Sequence, residues 1–175
     1  LDGRFVLGLG TGEALNEHIL GHRWPPPETR RAMLAEAVEV MRSLWTGETV
    51  DHDGDFYRVE NARLFDVPDA GIPLVISGFG QESVELAARV GDGFWGHSPD
   101  ADVIERYRDA GGEGPRYAQV RLCWDTDEER ARETVHRQWP NQGLSGQLMQ
   151  DLPTFTHFEQ ATSMLTVDQT AGSVP

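Results

Sequence analysis

The sequence predicts an α/β fold built around a parallel β-sheet. Four short apolar segments have the pattern of strands, at residues 4–10, 72–77, 93–96 and 117–124, and a helix-like segment follows each of them. Alternating strands and helices favour a parallel sheet covered by helices, either in a doubly wound fold or in a TIM barrel. A barrel needs eight such units in about 250 residues. A chain of 175 residues with four units would therefore form only part of a barrel.

The first half of the chain carries a long helix and a hairpin. Three consecutive prolines open the helix, because proline is tolerated in a first turn. Apolar residues between positions 33 and 45 recur every three or four residues, which predicts a single buried stripe. An Asp-Gly pair at 53–54 between strand-like flanks predicts a small β-hairpin. We interpret residues 48–71 as a hairpin insertion in a single domain that covers residues 1–175.

In the second half, glycine-rich turns separate the strands from the helices that follow them. A capping box that begins at Thr126 predicts a helix after the fourth strand. Residues 138–153 have a loop-rich pattern, and residues 155–165 predict a final helix.

The composition disfavours several classes of protein. The 29 acidic and 15 basic residues give a formal net charge of −14, which opposes binding to nucleic acid or to an anionic membrane. No apolar run reaches the length of about 18 residues that a membrane span needs, and no secretory signal pattern is visible. The single cysteine, Cys123, has no internal disulfide partner and is expected in the core. We expect a cytoplasmic protein that binds a small molecule.

The first candidate site follows the first strand, where glycines alternate through residues 8–12 before Glu13. A dinucleotide-binding fingerprint would have glycine in place of Glu13, so a Rossmann site is disfavoured. Glu13 and Asn16 are three residues apart and share a face if a helix begins there. A carboxylate at the carboxyl end of a strand is well placed for acid–base chemistry. Alternatively, Glu13 is a first-turn carboxylate that stabilises the helix dipole.

Two further candidate sites follow the later strands. Residues 77–83 combine a strand end, a glycine-rich turn and a helix start, which can form an anion site from backbone N–H groups. An ordinary tight turn favours glycine equally. His97 ends the third strand at the same edge as Glu13, where it either donates a hydrogen bond to substrate or is simply solvated. His18 and His22 are four residues apart but lack a third ligand, so no metal is expected.

These turns resemble those of the luciferase-like superfamily. Residues 8–17, Gly-Leu-Gly-Thr-Gly-Glu-Ala-Leu-Asn-Glu, are similar to a signature of its coenzyme F420-dependent branch, which contains the F420-dependent glucose-6-phosphate dehydrogenases. Segments at 44–48, 53–57 and 90–94 follow in the order expected of that branch, and the similarity is clear over residues 3–107. The resemblance implies a (β/α)8 TIM barrel with insertions. This chain would be the middle and later part of that barrel.

The resemblance also implies a cofactor, a reaction and the residues that serve them. It implies an oxidoreductase that transfers a hydride between F420, a deazaflavin, and a small organic substrate. Glu13 would accept or donate a proton beside the deazaflavin ring, and His97 would contact the substrate. The positions implied to bind the cofactor are Thr11, Gly12, Asn16, Ser77, Gly78, Phe79, Gly80, Glu82 and Ser83. We expect a homodimer for the full-length enzyme and expect the chain alone to be inactive.

One departure from the family pattern bears on the substrate. In the sugar-phosphate dehydrogenases, the strand at 93–96 leads into a Thr and a Lys that hold the substrate phosphate, and here the matching residues are His97 and Asp100. All 15 basic residues are Arg, so no Lys elsewhere in the chain can replace the phosphate-holding Lys that is missing at position 100. Codon usage and a salt-rich host explain this bias towards Arg equally well. We expect an alcohol or ketone as substrate rather than glucose 6-phosphate. The alternatives are an FMN-dependent luciferase-like monooxygenase and a non-catalytic barrel fragment.

Overall fold

The computed structural model describes residues 3–172, which divide into two compact units. The described part of the first unit is residues 3–11 with Pro25–Gln119, and that of the second is Gly12–Trp24 with residues 120–172. The first unit contains every β-strand of the described chain, whereas the second is helical. The interpretation of residues 1–175 as a single domain stays a prediction.

The six strands of the first unit form two sheets. Their bounds are β1 Leu7–Leu9, β2 Val50–Asp53, β3 Arg58–Ala62, β4 Leu74–Ser77, β5 Gly93–Gly96 and β6 Arg116–Ala118. The main sheet has the order β1-β4-β5-β6, and all of its pairs are parallel. The carboxyl ends of these strands therefore lie at one edge of the sheet, which we call the carboxyl edge. The predicted α/β fold with a parallel sheet is confirmed.

Eight α-helices lie in the described chain. Their bounds are α1 Ala14–Glu17, α2 Pro27–Leu44, α3 Gln81–Val90, α4 Ala101–Asp109, α5 Glu128–Gln138, α6 Leu148–Asp151, α7 Phe155–Thr162 and α8 Val167–Ala171. The first unit contains α2, α3 and α4, and the second contains the others. No helix among residues 3–172 is long and apolar enough to cross a membrane.

The core of the first unit surrounds β4. Leu74, Val75 and Ile76 are each at most 3% exposed, because β1 and β5 flank this strand and apolar side chains of neighbouring helices pack on it. A continuous apolar run is the expected sequence of such a doubly covered strand. Leu34 and Val38, four residues apart on α2, join the same cluster and form part of the predicted stripe.

The second sheet is the antiparallel hairpin of β2 and β3, which lies within residues 48–71. Glu36 of α2 holds this hairpin, because its Oε1 accepts a hydrogen bond from the backbone N–H of Tyr57 at 2.8 Å and lies 3.1 Å from Nε2 of His52. A Cβ at Gly54 would overlap the Glu36 carboxylate, so the turn needs glycine for this close approach.

The helical second unit packs around Val135 and Ala171, and Cys123 packs against them at its predicted core position. The predicted strand at 117–124 is wrong beyond Ala118, where β6 ends. Trp124 in the non-strand remainder is 84% exposed. Alternating apolar residues extend a strand only where a neighbour supplies hydrogen bonds, and β6 pairs with β5 alone in the described chain.

Two other sequence expectations for the second unit need correction. The predicted helix at 155–165 ends at Thr162, and α8 begins separately at Val167 with a capping box on Thr166. The predicted loop at 138–153 contains a 3-10 turn and the short helix α6. Thr166 and Gln169 satisfy each other's backbone N–H groups, which is sufficient to start a new helix there.

Candidate functional site

Several of the predicted site residues of the first unit meet at the carboxyl edge of the sheet. Leu9 pairs with Ile76, and Ser77 pairs with Trp95, so the turns after β1, β4 and β5 are neighbours. A Cβ at Gly10, just before Thr11, would lie 3.9 Å from Cβ of Ser77. Ligand sites of parallel sheets form at this edge, because the connecting loops there converge.

Ser77, Phe79 and His97 form a cluster at this edge, which we call the rim cluster. Ser77 Oγ lies 3.0 Å from Nε2 of His97, within hydrogen-bonding distance. The ring of Phe79 stacks on the imidazole with 3.7 Å between ring centroids and an angle of 18° between ring planes. The family resemblance implies that Ser77 and Phe79 contact the cofactor and that His97 contacts the substrate. The structure brings all three side chains together.

The turn after Ser77 leads into the N-terminus of α3. Gly80 is the N-cap, and its carbonyl accepts hydrogen bonds from the N–H groups of Ser83 and Val84. The first N–H groups of a helix have no partner within the helix and carry its positive dipole end, so they favour an anion. This geometry is the one that phosphate groups commonly occupy in α/β proteins.

The glycines of this turn serve different purposes. A Cβ at Gly78 would lie 2.6 Å from Cβ of Ser83, so packing requires glycine there. A Cβ at Gly80 would meet no heavy atom within 4 Å, and its φ of −89° suits any residue. Neither packing nor backbone strain requires glycine at Gly80; glycine is favoured there as an N-cap residue, and it leaves open space beside the N-terminus of α3.

An arginine that sequence analysis did not single out lies beside this turn. Arg31 of α2 forms an ion pair with Glu82, the second residue of α3, and its side chain is 19% exposed. The pair offsets the charge of the Glu82 carboxylate, which would otherwise repel an anion bound at the same helix end. Arg31 lies 51 positions before Glu82 in the chain, so no local sequence signal marks the pair.

In the second unit, Glu13 precedes α1 as its N-cap residue. Its backbone is extended, and its side chain makes no capping hydrogen bond. Glu13 and Asn16 are both exposed, whereas Ala14 is buried and anchors the helix. Because α1 has only four residues, its dipole gives little stabilisation to a nearby carboxylate. This geometry weakens the interpretation of Glu13 as a helix-start residue.

Gly12 shapes the turn before Glu13. It has a φ of +79°, in the left-handed region that favours glycine. A Cβ there would also lie 3.3 Å from a carboxylate oxygen of Glu17 and 3.4 Å from the ring of Trp24. Trp24 is held in turn by a hydrogen bond from its Nε1 to Asp151 at 2.9 Å. Gly12 is therefore required by the fold of the second unit.

The residue at the position where the family pattern has lysine is a helix cap. Asp100 precedes α4, and its Oδ1 accepts hydrogen bonds from the backbone N–H groups of Asp102 at 2.9 Å and Val103 at 3.3 Å. The chain's own carboxylate thus occupies the anion-favouring end of α4. Three residues earlier stands His97, in the rim cluster.

The predicted site residues fall into two groups. Thr11, the turn residues from Ser77 to Ser83, and His97 belong to the first unit, whereas Gly12, Glu13 and Asn16 belong to the second. The described residues include no cluster of three or more His, Cys, Asp or Glu side chains that could hold a metal ion. His18 instead bonds through Nδ1 to the carbonyl of Leu15 at 2.9 Å.

A parallel sheet with a glycine-lined carboxyl edge is typical of α/β enzymes that bind a phosphate-bearing cofactor. The profile of the luciferase-like monooxygenase family matches residues 1–172. The chain therefore belongs to the luciferase-like monooxygenase family, and the resemblance noted from residues 8–17 is confirmed.

Curated relatives narrow the comparison to one branch of the family. The F420-dependent glucose-6-phosphate dehydrogenase of Nocardia farcinica is 38% identical over 97% of this chain and 54% of its own length. The corresponding enzyme of Mycobacterium tuberculosis is 35% identical over 96% of this chain and 54% of its own length. The chain thus spans about half the length of the curated relatives it matches.

Solved structures support the fold. An F420-dependent secondary alcohol dehydrogenase in complex with an F420-acetone adduct matches with a TM-score of 0.82 and 26% identity, over 95% of this chain and 54% of that one. A coenzyme F420-dependent tetrahydromethanopterin reductase from Methanopyrus kandleri matches with a TM-score of 0.67 and 18% identity, over 99% of this chain and 59% of that one. The prediction of a TIM barrel present in part is confirmed.

Proposed function

We propose that this chain is part of a coenzyme F420-dependent oxidoreductase that transfers a hydride between the deazaflavin and a small uncharged alcohol or ketone. The observation that carries the proposal is the open glycine turn at Gly80 beside the N-terminus of α3, in a chain whose curated relatives are F420-dependent. The chain would function in the cytoplasm as part of a homodimer.

The residues at the carboxyl edge suit an anionic cofactor tail. The first N–H groups of α3 point out of the helix at Gly80, where no side chain fills the space. Arg31 offsets the charge of Glu82, and the hydroxyl of Ser83 adds a polar group to the same turn. When bound, the deazaflavin supplies the hydride chemistry, and the protein supplies orientation and proton management.

The residues of the second unit suit the proton transfer that accompanies hydride transfer. Glu13 is exposed and does not cap α1, so its carboxylate is available to hold or move one proton. Thr11, Gly12 and Asn16 would contact the cofactor next to it. The assignment of these residues rests on the family resemblance, together with the exposure of Glu13 and Asn16.

The substrate preference rests on Asp100. A phosphate near the start of α4 would face the Asp100 carboxylate. This carboxylate already accepts hydrogen bonds from the N–H groups of Asp102 and Val103, which would otherwise be available to an anion. An uncharged hydroxyl or carbonyl group avoids this repulsion. The likeness to an alcohol dehydrogenase bound to an F420-acetone adduct supports the same class of substrate.

The proposal is tested by titrating the complete protein with F420 and, separately, with FMN, and following the absorbance of each cofactor. We expect saturable binding of F420 and weaker or undetectable binding of FMN. Gly80→Ala should weaken F420 binding, because the added methyl group fills the space at the helix end. Gly8→Ala, in the middle of β1, is the matched control with equally open space. Preferential binding of FMN would favour a flavin-dependent monooxygenase instead.

A further inference from the structure

The side chains of the rim cluster are directed at one another. Ser77 is the last residue of β4, and His97 directly follows β5, the neighbouring parallel strand. The register of these strands brings the two side chains within 3.0 Å between Oγ and Nε2. Phe79 covers the imidazole face at 3.7 Å and is itself 52% exposed.

These two contacts restrict the imidazole in complementary ways. The Ser77 hydroxyl can donate a hydrogen bond to Nε2 or accept one from it, so it anchors this ring nitrogen in either neutral tautomer. The Phe79 ring lies against one face of the imidazole and limits its rotation out of the stacking plane. His97 is only half-buried, so burial by itself does not fix its rotamer.

We propose that Ser77 and Phe79 are positioning residues for His97, fixing the orientation of its ring so that it recognises the uncharged oxygen of the substrate. This inference rests on the proposed function, since it assigns His97 to substrate. It departs from the resemblance, which implies that Ser77 and Phe79 contact the cofactor, by separating two roles in one turn. The backbone at Gly78–Gly80 serves the cofactor, whereas the side chains of Ser77 and Phe79 serve the substrate through His97.

The separation of roles predicts the effects of side-chain substitutions. Ser77→Ala keeps the backbone of the turn and removes only the hydroxyl, so F420 affinity should stay within about 2-fold. A net hydrogen-bond contribution of ordinary size predicts that KM for a secondary alcohol rises about 3- to 10-fold. The value of kcat should change little, because the lost interaction holds substrate and transition state alike. Ser77→Thr restores a hydroxyl and should restore KM.

The positioning role can be tested by measurements on the His97 ring itself. We would record the imidazole ¹⁵N chemical shifts of His97 by NMR in the complete protein without cofactor, for the wild type, Ser77→Ala, Ser77→Thr and Phe79→Leu. We expect similar Nε2 shifts in the wild type and Ser77→Thr, and a changed Nε2 shift in Ser77→Ala, because the hydrogen bond to this nitrogen is lost. Phe79→Leu should broaden the signals, because the ring loses its stacking partner; Phe79 is largely exposed, so the variant should fold.

Ser43→Ala is the matched control, since its hydroxyl also makes a 3.0 Å bond, but to the carbonyl of Glu39 on α2. It should leave both the His97 shifts and KM unchanged. Identical His97 shifts in the wild type and Ser77→Ala, or an unchanged KM, would overturn the positioning role. Failure of the wild type to bind F420 would overturn the proposed function instead, and the His97 shifts would still decide whether Ser77 positions the ring.

Discussion

Glu36 Oε1 lies 2.8 Å from the backbone nitrogen of Tyr57, and this bond ties the long helix α2 to the hairpin of β2 and β3. Burial of the carboxyl group acts to raise its pKa. Hydrogen bonds from the Tyr57 and Phe56 backbones and from His52 outweigh that effect, and the pKa of Glu36 lies below its ordinary value. The carboxylate is therefore more stable in the folded protein than in the unfolded chain.

The lowered pKa predicts a pH-dependent contribution to stability. Because the folded pKa lies below the unfolded one, the stabilisation is present above the unfolded pKa and is lost as pH falls through the folded pKa. Glu36→Gln should lower the urea midpoint at pH 7, and the difference from wild type should shrink as pH falls through the carboxyl range. Glu39→Gln, exposed on the same helix, is the control. An equal midpoint difference at every pH would contradict the prediction.

We expect substitutions of the two glycines in the turn before α3 to differ in their effect on stability. Gly78→Ala places a methyl group 2.6 Å from Cβ of Ser83, and overpacking of this kind costs about 1–3 kcal/mol. Gly80→Ala meets no atom within 4 Å, so only the poorer N-cap preference of alanine should lower the free energy of unfolding, by less than about 1 kcal/mol. Urea unfolding of both variants checks the pair. Equal destabilisation of the two variants would contradict the predicted overpacking at Gly78.

We expect Glu13→Gln to lower turnover without lowering the affinity for F420. Glu13→Gln keeps the shape and removes the titrating group, so hydride transfer should fall about 100- to 10,000-fold if Glu13 handles the proton. F420 affinity should change little, because the neighbouring backbone is retained. Single-turnover hydride transfer and cofactor titration on the complete protein measure both. Glu17→Gln, on the same short helix, is the control.

A structural role for Glu13 predicts the reverse pattern. Turnover would be nearly normal, and stability would fall by less than about 1 kcal/mol from a weakened contact with the helix dipole. A Glu13→Gln enzyme with normal hydride transfer across the pH range would remove Glu13 from the mechanism.

We expect the Asp100 carboxylate to make sugar phosphates poor substrates of the complete enzyme. The complete enzyme should turn over glucose 6-phosphate far more slowly than a neutral secondary alcohol, because the Asp100 carboxylate repels the phosphate. Asp100→Asn keeps an oxygen that can cap α4 and removes the charge, so it should narrow the difference in kcat/KM between the two substrates. Comparable rates for both substrates in the wild type would refute the substrate assignment.

Much of the fold follows from local patterns in the chain. The strand β4 is buried on both faces. Its short apolar run is typical of such a strand, so β4 could be predicted from a few consecutive residues. The spacing of Leu34 and Val38 indicates the buried face of α2. The end of β6 could not be predicted, because a strand continues only beside a hydrogen-bonding neighbour, which local alternation does not reveal.

The sequence by itself determined the strand-helix alternation, the glycine turns, the absence of lysine and the family, because these depend on residue type and spacing along the chain. Only the tertiary structure decided that Ser77 bonds to His97, that Arg31 pairs with Glu82 and that Gly78, but not Gly80, is required by packing. Each of these contacts depends on the register of neighbouring strands or on the packing of helices, and distances across elements are set by the folded arrangement rather than by local sequence.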